Sequence, residues 1–193
     1  MPDATAATRD RTVDYLRTRA ASLDAGRIRA RVRAAGAELE TALGGLEETA
    51  ARRPLQPGEW TVAQVVDHVA QSTVRAAEEL RHLLAGRRPP GPPVYEGLLS
   101  GAAHRVPWSE LVEGLREATG ALDAALEEAT RQPPRDAATV PTILTAGGPD
   151  PGGETELFAA ELGWKEYALV QRLHFVDHRE QIRRLRQGLA RSA

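Results

Sequence analysis

The chain has 193 residues, no cysteine, five histidines, and 25 basic against 27 acidic side chains, a formal net charge of −2. A chain of this length can fold by apolar burial without disulfides or a structural metal, and the absence of cysteine excludes thiolate-ligated zinc, iron–sulfur sites and an internal thiol nucleophile. The balanced charge points away from nucleic acid, no apolar run approaches the roughly 18 residues of a membrane span, and the interleaved Arg and Asp of Met1–Ala21 lack the order of a secretory leader, so a cytoplasmic location is expected.

In chain order, Val13, Tyr15, Leu16 and Leu23 line a short helix over about Asp10–Ser22, within an extension of residues 1–25. Ile28, Val32, Ala35, Leu39, Leu43 and Leu46 step by three and four, the spacing of one helix stripe, and predict a first long helix from about Gly26 to Ala51. Pro54 and Pro57-Gly58 mark a turn. Thr61 and Gln64 then have the spacing of a capping box, with Trp60 and Val65 set to staple it, so a second helix starts there and runs to about Ala85.

The proline-rich stretch Gly86–Pro107 is too long for a hairpin between adjacent helices and suits a crossover along a bundle. Leu111, Leu115, Ala118, Leu122, Ala125, Leu126 and Ala129 predict a third helix over about Ser109–Arg131. Gln132–Gly163, with Pro133-Pro134 and a Gly/Pro run at 147–153, is expected to be irregular, a flap over the molecule. No segment alternates with period two for long enough to predict a sheet. The fourth helix, about Trp164–Leu189, has a stripe of Tyr167, Val170, Gln171, His174, His178, Gln181, Ile182, Leu185 and Leu189, with polar groups in its middle.

At about 100° per residue, His174 and His178 lie on either side of the inward direction of that helix, so both imidazoles can converge on one ion. Gln171, Asp177 and Gln181 line or flank the same face, and burying so many polar groups is costly unless they serve one another or an ion. The alternative is a satisfied polar core pair. On the second helix His68 is the available third ligand; its wheel position is a seam between core and solvent, where hydrogen bonding to a backbone carbonyl is the competing role. His82 falls on the outer face, and His104 lies in the crossover beside Arg105, where a loop role and a pocket contact are equally open. Arg27, Arg29, Arg31 and Arg33 flank the first stripe as a solvated face. Trp60, Trp108 and Trp164 all stand at helix starts, where packing accounts for them.

The stretches Trp60-Thr61-Val62-Ala63-Gln64-Val65-Val66-Asp67-His68 and His174-Phe175-Val176-Asp177-His178-Arg179-Glu180-Gln181-Ile182 together resemble the DinB-like superfamily. The resemblance spans about Gly26–Leu189 as an arrangement of helices. It implies an all-α four-helix bundle in up-down-down-up order, a domain of residues 26–193, with a divalent metal held by one histidine of the second helix and two of the last. His68, His174 and His178 occupy those positions. In the related maleylpyruvate-isomerase-like branch a glutamate stands where this chain has His174, so the general DinB-like group is the better match. Such a family often dimerises through helix faces, and it implies no DNA repair.

Three neutral nitrogen ligands leave zinc or nickel with open positions, the mark of a catalytic site. The resemblance therefore implies a metal-dependent enzyme of the thiol S-transferase type acting on a small electrophile, its thiol coming from solution. The alternatives are a metal-dependent hydrolase, with Asp177 or Asp67 as base, and a non-catalytic bundle that binds a small molecule or a protein.

Overall fold

The computed structural model describes residues 4–93, 98–132, 138–146 and 156–191. In chain order these form α1 (Ala4–Ser22), α2 (Ala25–Leu43), α3 (Glu48–Ala51), α4 (Val62–Leu84), a 3₁₀ turn (Ala102–His104), α5 (Trp108–Arg131), β1 (Val140–Ala146), β2 (Glu156–Leu162) and α6 (Trp164–Arg191). The fold is mostly helical, as expected. Each of α2 and α4 packs against both α5 and α6, so the four long helices surround one core, which includes Ile28, Val32, Leu39, Val66, Leu80, Leu115, Leu126, Phe175 and Ile182.

Cross-helix pairs give the relative senses of three of these contacts. Arg179 bonds Glu38, and Arg186 bonds the Ala42 carbonyl further along both helices, so α2 and α6 run in the same direction. Arg29 pairs with Asp123 while Glu40 accepts from Thr119, an antiparallel order for α2 and α5. His68 meets His174 whereas Glu79 meets Tyr167, which makes α4 antiparallel to α6.

The start of α4 is built as its sequence predicts. Thr61 Oγ1 accepts the Gln64 N–H at 3.2 Å, and Gln64 Oε1 accepts the Thr61 N–H at 2.9 Å. This satisfies two amides that a helix N-terminus otherwise leaves unpaired. Several expectations are corrected. The first long helix does not reach Ala51: α2 stops at Leu43, where Gly45 adopts a left-handed φ of 70°, and α3 is a separate turn. The N-terminal helix begins at Ala4 rather than near Asp10, and its Leu16 and Ala20 are buried in the core.

Residues 132–163 are not irregular throughout either. β1 and β2 pair antiparallel, in a register that sets Val140 opposite Leu162 and Leu144 opposite Phe158. Val140, Thr142 and Leu144 are buried on β1. The signal in the sequence was the β-branched run Val140, Thr142, Ile143, Thr145; the apolar block Leu157–Ala160 hid any alternation on the partner strand. Pro133-Pro134 and the Gly/Pro run at 147–153, which the expected flap included, lie outside the described residues. Arg29, taken as part of a solvated face, instead forms a two-pronged ion pair with Asp123 at 2.7 and 2.8 Å.

Candidate metal centre

Antiparallel packing of α4 and α6 brings three imidazoles together. The Nε2 atoms of His68 and His178 each lie 3.0 Å from His174 Nε2, and the three candidate donor atoms fall within 4.8 Å of one another. The rings meet edge to face, with centroids 4.4 to 5.1 Å apart. Nitrogens that share a tetrahedral zinc at about 2.05 Å lie about 3.3 Å apart, so the observed spacing is that of donors around one ion. His68 is 3% exposed, which corrects its expected seam position. The indole of Trp60, with its centroid 5.1 Å from the imidazole, and the crossover at Leu98 close that seam.

Hydrogen bonds on the outer nitrogens fix two of the tautomers. His68 Nδ1–H donates to the Leu98 carbonyl at 2.9 Å, and His178 Nδ1–H donates to Gln181 Oε1 at 2.8 Å. Both Nε2 atoms therefore aim a lone pair at His174. A proton on His174 Nε2 could satisfy only one of them, and His174 Nδ1 is itself buried without a partner. A divalent cation among the three nitrogens resolves this crowding of lone pairs, and the donor set fits one. The carbonyl-bonded role of His68 and its ligand role are thus compatible, because they use opposite nitrogens of one ring.

Electrostatics keep His174 and His178 in the form a metal needs. Burial, then the neighbouring imidazoles of His178 and His68, push His174 well below the usual histidine range. Burial pushes His178 down to about 4, with the Gln181 hydrogen bond opposing it. Neutral imidazoles at ordinary pH are competent ligands.

The crossover is tied to α4 by the residue beside His68. Asp67 is 1% exposed; its carboxylate accepts the Ser100 hydroxyl at 2.6 Å and the Gly101 N–H at 3.0 Å. Asp67 is not among the described residues of the cavity wall below, so the structure gives it no place there as the hydrolytic base weighed above. It holds the segment whose Leu98 carbonyl orients His68, a role that sequence reasoning missed because the partners lie more than thirty residues away.

All three histidines open onto one cavity of about 700 Å³. The β1–β2 hairpin roofs it with Thr142 and Leu144, and α1 contributes Thr12 and Leu16 to its wall. Asp177 faces it, and burial raises that carboxyl above its ordinary value. His82 is partly exposed and His104 exposed, and neither lines the cavity. Trp60 does line it, so this tryptophan has a place at the site beyond packing at a helix start.

A mostly helical fold carrying three histidines that could hold one ion at the wall of a large cavity defines a class of metal-binding helical proteins. A sequence profile of the DinB superfamily matches residues 31–163, and the chain belongs to that superfamily. The matched span includes His68 but ends before α6, so His174 and His178 are joined to it by the tertiary structure and not by the match. No curated protein and no solved structure matches the chain.

Proposed function

We propose that this protein is a metal-dependent enzyme in which His68, His174 and His178 hold zinc or nickel and an external low-molecular-weight thiol is transferred to a small electrophile. The observation that carries this reading is the convergence of three imidazole nitrogens on the wall of an open cavity of about 700 Å³, a size suited to small-molecule ligands. When bound, the ion supplies a Lewis acid that favours the deprotonated form of a thiol or water at its open position.

The chain's own residues do the rest. Leu98 and Gln181 orient two of the ligands, while the hairpin and α1 limit the access of water. With no cysteine in the chain, the sulfur must come from solution. A cytoplasmic location, where small thiols are kept reduced, goes with this reading, as does a functional unit of residues 26–193 with α1 from the extension on the cavity wall.

The test begins with the metal content of protein purified without a histidine tag. Metal-loaded and metal-free protein are then incubated with mycothiol, bacillithiol or glutathione and a reactive electrophile. Metal-dependent thiol consumption is expected, and no rate above the metal-free control with all three thiols overturns the transferase reading. Metal-assisted hydrolysis is the second reading. One observation favours it: Asp177 lines the same cavity, where its carboxyl, raised above its ordinary value by burial, is placed to act as a general base. A purely binding bundle would need no such open approach to the ion.

A further inference from the structure

Polar groups remain on the cavity wall away from the histidines, and metal binding gives them no task. Gln171 is 7% exposed and lines the cavity. Its amide is not shut off from that space, so a group entering the cavity can pair with it. Beyond it stands Glu79, 3% exposed. One carboxylate oxygen accepts Arg75 Nε–H at 2.8 Å and the other accepts the Tyr167 hydroxyl at 2.6 Å, which leaves acceptor capacity on both.

Glu79, Tyr167 and Gln171 line the same cavity as the triad, and no lysine or arginine is among its described lining residues. Along α6, Tyr167 lies seven residues before His174, about 10 Å at 1.5 Å per residue. The cavity thus has the imidazole nitrogens at one end and the Glu79–Tyr167 pair at the other, with Gln171, three residues before His174, on the wall between them.

We propose that Gln171, Glu79 and Tyr167 form a specificity subsite for the far end of an elongated ligand, which takes an uncharged hydrogen-bond-donating group, a carboxamide, and rejects a carboxylate. The inference rests on the reading that the triad end of the cavity holds the ion. A carboxamide pairs reciprocally with the Gln171 amide and directs its remaining N–H to Glu79. A carboxylate at the same place sets its oxygens against the Glu79 acceptors with no N–H to offer, so its rejection comes from the missing donor. The Arg75 ion pair already neutralises Glu79, so an ammonium gains too little there to leave water.

Isothermal titration of the zinc-loaded, full-length protein tests this with three hydroxamates, whose common head is a zinc ligand: acetohydroxamate, suberic acid monohydroxamate with its carboxylate tail, and the primary carboxamide of the latter. The carboxamide is expected to bind about tenfold tighter than the carboxylate, the worth of one good hydrogen bond. Gln171→Leu breaks no hydrogen bond within the described protein; it should reduce that preference to about twofold or less and leave acetohydroxamate unaffected. Glu79→Gln should improve binding of the carboxylate tail. Equal affinities for the two tails, or a preference that survives both substitutions, overturns the subsite alone. Failure of acetohydroxamate to bind the zinc-loaded protein overturns the metal reading, and the subsite with it.

Discussion

His174 makes both of the close nitrogen contacts in the cluster, so its removal takes away the donor common to the whole set. His174→Ala is expected to abolish stoichiometric zinc or nickel while leaving the far-UV circular dichroism of the helices nearly unchanged, because the surrounding core is apolar and extensive. Metal analysis and dichroism on one sample decide this, and global unfolding of the variant would show the ion to be structural. The depressed imidazoles also set a sign for pH. As pH falls from 6.5 toward about 4, an unfolded chain takes up protons that the folded His178 refuses, so the metal-free protein loses stability over that window, on the order of 3 kcal/mol from this residue. Urea midpoints of the metal-free protein should fall across it, and His178→Gln should flatten the slope.

Among the elements, α4 shows how a local signal and a distant contact divide the work. Its start depends on Thr61 and Gln64, three residues apart, and Thr61→Ala should cost about 1 kcal/mol, seen as a lowered thermal midpoint. Its site-bearing turn depends on Asp67, whose partners Ser100 and Gly101 arrive from the crossover. Asp67→Ala leaves those two donors without their acceptor, a cost of about 1–3 kcal/mol, and slackens the segment that orients His68. Zinc affinity, measured by competition with a chromogenic chelator, should drop by about 10- to 100-fold, as for other outer partners of metal ligands. An unchanged affinity would mean that the Leu98 carbonyl keeps its place without this clamp. The hairpin is the opposite case from the capping box: β1 carries only a short β-branched run and β2 no alternation, and the two are ordered by pairing with each other and by packing over the cavity.

For the molecule as a whole, the core runs from α1 through the bundle to the hairpin, so the ion should add stability without being the condition for folding. Treatment with a chelator is expected to lower the thermal midpoint of the metal-loaded protein while the metal-free form still unfolds cooperatively, since a ligand that binds only the folded state stabilises it by mass action. Calorimetry with and without added zinc measures the difference.

The sequence by itself determined the long helical stripes, the capping box and the placing of His174 and His178 on one helix face, because each follows from intervals of three or four residues, distances that an α-helix sets locally. It also determined that any reacting sulfur must be external, since composition is independent of fold. Only the tertiary structure decided that His68 is buried and not at a seam, that Asp67 clamps the crossover, that β1 and β2 pair, and that Gln171 and Glu79 share a cavity with the histidines. Each of these depends on contacts between residues tens of positions apart, and those contacts exist only once apolar burial has brought the helices together.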